Sequence, residues 1–349
     1  MNLNHLIPIK NPYLKNIVIP LLLLIITFIT STIAGTMWAC RDYSDLLNWH
    51  YGLTYSILII FVLGSHEMGH YIAARIHKID CTLPHFIPMF VPGAPQFGTM
   101  GAVIKTRAPF TNRKVLFDIG VAGPIAGFVA TMIVLVYGFA TLPSPESIFI
   151  YHPEYHFINK IPETGLHFGS NILFEIFGFF AIKSGGWVPP MNEIYHYPFL
   201  CVGWFGLFVT MLNMLPIGQL DGGHVIYAMF GRWQSIISRI FWWMCIIIAV
   251  GAVLNFLIEF LNSDINFPFK IFFEDYVLFY LKIFKNAAPW YFSGWGGWLV
   301  WAIICKVFIK LDHVPVADSQ SIGTRRMIIG IIAIIIFIIS FNYCGVYEI

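Results

Sequence analysis

From residue 17 to residue 39 the chain carries no charged side chain. At a rise of about 1.5 Å per residue, such a run crosses the roughly 30 Å of hydrocarbon in a bilayer. Apolar runs with at most two charged residues recur at residues 51–76, 117–141, 197–215, 236–261, 295–309 and 327–344. In lipid a segment of this kind satisfies its own backbone as a helix. The expectation is an all-α polytopic membrane protein with about seven transmembrane helices. Composition agrees, at 58% hydrophobic and 11% charged residues with a mean hydropathy of +0.75. A formal net charge of +2, spread over short loops, leaves no basic patch for nucleic acid. The cysteines, Cys40, Cys81, Cys201, Cys245, Cys305 and Cys344, form no CxxC pair and are expected to pack as small apolar residues.

The runs are interrupted in two informative places. Residues 80–114 contain Pro84, Pro88, Pro92, Pro95 and Pro109 with Gly93, Gly98 and Gly101, so no continuous helix fits, yet the residues between remain apolar. This segment is read as a re-entrant, β-hairpin-like piece between the second and third helices, centred on residues 97–105, with an ordinary surface loop as the alternative. Residues 142–196 are polar and aromatic around a short apolar patch at 172–182, and read as an extracytoplasmic insert with an interfacial helix. The expected organisation is an anchor span (1–50), a first core segment (51–141), the insert (142–196), a second core segment (197–235), and C-terminal spans with an aromatic amphipathic segment (236–349).

Loop charge sets the orientation, because Lys and Arg favour the cytoplasmic side. The N-terminus with Lys10 and Lys15, the segment 75–114, the turn 232–239 and the loop 310–326 are basic, and all fall on one side if there are seven spans. The N-terminus is then cytoplasmic. With no Ser/Arg-rich leader ahead of the first run, a bacterial inner membrane is expected rather than a plastid.

The second run holds Gly64-Ser65-His66-Glu67-Met68-Gly69-His70. Histidines four apart lie on one helix face, so His66 and His70 can grip one metal ion with Glu67 beside them. Ionisable groups in a spanning helix cost about 2.5–3.5 kcal/mol each on insertion scales and persist for function. Catalytic zinc takes three protein ligands and keeps one position open, so a third ligand is needed. Asp221, after the Pro216 break and before Gly222 and Gly223, is the first candidate, with a helix cap as its other reading. His224 competes for the same role, or serves as a partner behind the ligands or a solvated helix-end histidine. Zinc sites of this type lower the pKa of a water towards about 7, and Glu67 is placed to take its proton and later hand it to a leaving amine. Asn213 either donates a hydrogen bond to the substrate or packs helices. His85, His152, His156, His167 and His196 show no metal spacing and read as ordinary histidines.

These residues resemble the site-2 protease family of intramembrane zinc metalloproteases. His66-Glu67-Met68-Gly69-His70 matches the family's HExGH, and Asn213 to Gly223 matches its NxxPxxxLDGG. Residues 98–102 and 118–124 are similar to its re-entrant hairpin and third-helix segments. The resemblance implies one zinc per chain held by His66, His70 and Asp221, Glu67 as catalytic base, Asn213 near the substrate, and cleavage of single-span membrane proteins within the bilayer. Many members carry a PDZ domain where this chain has its insert, which is too short and too aromatic for one, so a PDZ-less branch is indicated. A catalytically inactive scaffold binding transmembrane helices, or a transporter-like protein binding ions, is the alternative. An intact Glu67 argues against the scaffold, and the lack of an internal repeat against the transporter.

Overall fold

The computed structural model describes residues 12–94, 96–107, 109–158, 161–263, 270–318 and 320–348. Lys10 and Pro95 lie outside them, as does the side chain of Lys15. The molecule is a mostly helical integral membrane protein. Helices α1 (Pro12–Trp38), α2 (His50–Ile76) and α3 (Arg113–Ala140) precede the insert, which contains α4 (Ile172–Lys183). Then come α5 (Pro198–Met214), α6 (Asp221–Phe230), α7 (Trp233–Asn262), α8 (Phe279–Ala287), α9 (Gly297–Ile304) and α10 (Thr324–Ser340). Among the described residues, four helices (within α1, α2 with its lead-in, α3 and α7) are long and apolar enough to cross a membrane, while 198–214 and 297–309 are apolar but shorter. α3 begins four residues before the expected 117 because the Asn112 side chain accepts from the Val115 amide at 2.9 Å and caps it.

Each long helix turns an apolar face outward, with Leu21, Ile25, Ile133 and Ile247 exposed, and a small or polar face inward. Between α1 and α2, buried Ser31 and Ser56 hydroxyls lie 3.0 Å apart, and a side chain at Gly52 would collide with the Thr32 carbonyl. Without a hydrophobic drive in lipid, such close backbone approach and buried hydroxyl pairing hold helices together. α5 is the central helix. Its Trp204 and Phe205 are fully buried against Phe168 and Phe208, and the Trp204 indole donates to the Gly169 carbonyl at 2.7 Å.

Between α2 and α3, β1 (His85–Pro88) and β2 (Thr99–Val103) form an antiparallel pair with His85 opposite Val103 and Phe86 opposite Ala102. β2 falls within the expected 97–105, but its partner strand lies farther upstream than that window. The connecting stretch packs on α1 and α2. Thr30 Oγ1 donates to the Gly98 carbonyl at 2.6 Å, Tyr55 to that of Phe97 at 3.1 Å, and Trp38 Nε1 to that of Gln96 at 3.0 Å. These donors satisfy irregular backbone that the helices enclose. Gly98 has φ +78°, and its α-carbon faces the Ser31 backbone so closely that a side chain would not fit.

In the insert, β3 (Leu166–Phe168) pairs with β4 (Val346–Glu348), tying it to the end of the chain. α4 is capped by Asn171 and leaves Ile176, Phe179, Phe180 and Ile182 exposed. Cys40 departs from the expectation for the cysteines, since it is exposed at the end of α1.

Candidate metal centre

His66 and His70 lie in the second half of α2, one turn apart. Asp221 opens α6, where a carboxylate faces the positive end of the helix dipole. α5 must stop for this to happen: Pro216 cannot continue it, Leu215 turns to extended backbone, and Gly218 adopts φ +51°. Gly222 and Gly223 then lie against the carbonyls of Met214 and Gly218, where a side chain would not fit, so α6 folds back tightly on the turn. The result joins residues 151 positions apart. His66 Nε2 and His70 Nε2 are 3.1 Å apart, and each is 3.2 Å from Asp221 Oδ2.

The donor set fits zinc. A triangle with sides of 3.1–3.2 Å has corners about 1.8 Å from its centre, inside the roughly 2.0–2.1 Å of zinc–nitrogen and zinc–oxygen bonds. The three atoms would therefore hold one zinc ion and leave a further position open. His70 Nδ1 donates to the Ile119 carbonyl at 2.7 Å, which leaves the Nε2 lone pair directed at the cluster. α3 makes the room: a side chain at Gly123 would overlap the His70 ring, and at Gly127 it would crowd the His66 ring. The small-residue stretch Gly120–Gly127 of α3 therefore packs against the two imidazoles themselves.

The remaining expected residues are near. Asn213 Nδ2 is 3.4 Å from His66 Nε2. Glu67 lines, with the three donors, a cavity of about 360 Å³ that also touches Ala102 and Val103 of β2 and Ile104 just after it. His224 is on the same wall, yet it is not one of the clustered donors. Its Nδ1 meets His313 Nε2 at 2.7 Å, and the His313 Nδ1 donates to the Val314 carbonyl at 2.6 Å. Burial pushes the His313 pKa down, favouring a neutral ring that accepts from His224.

Sequence reasoning missed the Ile119 carbonyl, the His313 contact and the anchoring of Asp118. That carboxylate accepts from Arg326 Nε and Nη2 at 2.7 and 2.8 Å and meets His77 Nε2 at 2.8 Å, joining the ends of α2 and α10 to α3. It also missed that His152 and His196 meet, with Cys40 beside them. The only local sign of this was the i, i+3 spacing of Glu193 and His196.

The family model of peptidase family M50 matches residues 54–258, a stretch that contains His66, Glu67, His70, Asn213, Asp221 and His224. The chain belongs to peptidase family M50. Curated relatives include a probable zinc metalloprotease EGY2, named chloroplastic, of Oryza sativa subsp. indica, 29% identical over 204 residues, covering 58% of this chain and 34% of that protein. A probable zinc metalloprotease EGY1, also named chloroplastic, of Oryza sativa subsp. japonica is 30% identical over 182 residues, 52% of this chain and 28% of the relative. The Arabidopsis thaliana EGY1 is 29% identical over 184 residues, 52% and 30% of the two chains. The matched stretch spans about a third of the length of these relatives. No solved structure matches the chain.

Proposed function

We propose that the chain is an intramembrane zinc metalloendopeptidase that hydrolyses a peptide bond in or near the transmembrane helix of single-span membrane proteins. The observation that carries this reading is the approach of Asp221 to both imidazoles of an HExxH helix, beside Glu67 and inside a bundle of apolar helices. His66, His70 and Asp221 hold one zinc at this centre. When bound, zinc supplies a Lewis acid for the scissile carbonyl and makes water more acidic. Glu67 takes a proton from the attacking water as the new C–O bond forms, and delivers it to the amide nitrogen as the C–N bond breaks. Asn213 offers its amide N–H to the substrate carbonyl oxygen as charge develops there.

A substrate helix must unwind to be cut, and its freed backbone groups need partners. β2 borders the cavity and, among the described residues, pairs with β1 alone, so an unwound strand can add beside it. The contacts of Gln96, Phe97 and Gly98 with α1 and α2 support a re-entrant placement of the hairpin. Seven crossings are supported by the alternation of basic loops, with the shorter apolar helices and α10 completing the count. The core is then shared by residues 51–141 and 197–235, as the family match supports. The N-terminus lies on the basic side, and the centre faces the same side, about 14 Å along α2 from Arg75. Relatives named chloroplastic do not support the bacterial inner membrane expected from the sequence, and the proposed orientation applies to either membrane.

The test is Glu67→Gln in full-length protein reconstituted with a model single-span substrate. Cleavage should fall at least about 100-fold, the scale of a lost general base, with zinc content equal to wild type. Undiminished cleavage would overturn the mechanism.

A further inference from the structure

At the opposite end of α2 from the HExxH centre, three segments converge. α1 ends and delivers Cys40, the insert delivers His152, and the turn before α5 delivers Glu193 and His196. His152 Nε2 and His196 Nε2 are 2.9 Å apart. Glu193 Oε2 lies 3.2 Å from His196 Nε2 and 3.7 Å from His152 Nε2. The Cys40 sulfur and the two imidazole nitrogens all fall within 4.8 Å of one another. The Glu193 side chain is 1% exposed, and its Oε2 is buried with no hydrogen-bond partner.

The outer hydrogen bonds say which atoms face inward. His196 Nδ1 donates to the Trp38 carbonyl at 3.1 Å, and His152 Nδ1 is 2.8 Å from the Glu154 carboxylate, to which it donates. With the Nδ1 protons so placed, both Nε2 atoms face each other and a carboxylate oxygen. Tyr155 donates to the other Glu193 oxygen at 3.1 Å, which fixes the carboxylate with Oε2 towards the rings. Lone pairs crowded in this way repel unless a cation lies among them. The HExxH centre shows the same pattern, with Nε2 atoms 3.1 Å apart, a carboxylate oxygen at 3.2 Å and an Nδ1 donated to a backbone carbonyl.

We propose that Cys40 Sγ, His152 Nε2 and His196 Nε2, with the Glu193 carboxylate against both imidazoles, form a second metal site, separate from the catalytic one. A thiolate and two imidazoles suit zinc, and the buried Glu193 carboxylate beside both Nε2 atoms offsets the charge of the ion. Carboxylate and carbonyl partners behind the two imidazoles orient them as they do in known zinc sites. The ion staples the insert to the end of α1 and to the start of α5. α5 carries Asn213 near its other end, roughly 25 Å away. Holding its start therefore holds the helix that positions the catalytic centre.

Zinc content and cobalt spectra of purified full-length protein test the site. Wild type should carry two zinc ions per chain, the His66→Ala/His70→Ala double variant one, and His152→Ala one. Replacing zinc by cobalt gives a direct signature, because only this site contains a thiolate. Wild type and the double variant should show a near-ultraviolet thiolate-to-cobalt charge-transfer band, and Cys40→Ser should lose it while keeping the cobalt bands of the catalytic site. Cys40 is exposed, so this conservative change keeps the test decisive even if His152→Ala does not fold. One zinc per wild-type chain, or a cobalt spectrum without the thiolate band, overturns the proposal in favour of a proton shared among His152, His196 and Glu193.

Discussion

At the residue scale the glycines of α3 are as informative as the polar groups. Gly123 and Gly127 let the backbone of α3 rest on the His70 and His66 rings, so the imidazoles are fixed by contact on one side and by the Ile119 carbonyl on another. A methyl group at Gly123 has no space unless His70 moves. Overpacking of this kind costs about 1–3 kcal/mol, so Gly123→Ala should weaken zinc retention at the catalytic centre roughly 5- to 150-fold. Competition with a chelator measures this. Gly178→Ala, at a position with open space around it, is the control and should be neutral. Wild-type zinc affinity in Gly123→Ala would show that the close approach does not hold the ring.

At the element scale the β1–β2 hairpin and the α5–α6 turn do different work. The turn brings Asp221 to the metal centre, while the hairpin borders the cavity and supplies no ligand. Changes in the hairpin should therefore alter substrate handling and leave metal content alone. Gly98→Ala places a side chain at φ +78° and against the Ser31 backbone. Strain at such a position alone costs on the order of 1–3 kcal/mol. The expected result is a fall of at least about 10-fold in kcat/KM, the equivalent of about 1.4 kcal/mol, with unchanged zinc and faster limited proteolysis near residues 89–98. Unaltered cleavage would remove the hairpin from substrate presentation.

At the scale of the whole molecule the proposed topology puts the loop after α9 and the insert on opposite faces of the membrane. An epitope at exposed Ser321 and another at exposed Ser144 should be reached from opposite sides of sealed, oriented vesicles. Labelling from one side would dismantle both the seven-span count and the separation of the two metal sites. The helical membrane character and the HExxH pair were legible in the chain because the signals are local. Uncharged runs mark helices where backbone must bond to itself, an i, i+4 histidine pair shares a face by helix geometry alone, and Pro216 with Gly222 and Gly223 announces a tight turn. What the sequence could not state is which distant groups meet. It left Asp221 and His224 both open as partners of the HExxH pair, and only the packing of α6 on the turn and on α3 turned the carboxylate to the imidazoles and the His224 ring to His313. It likewise offered β2 no particular partner strand, and it read Cys40, His152 and His196 as unrelated. Their convergence depends on how α1, the insert and α5 pack together, and contacts between segments so far apart along the chain leave no periodic trace within any one of them.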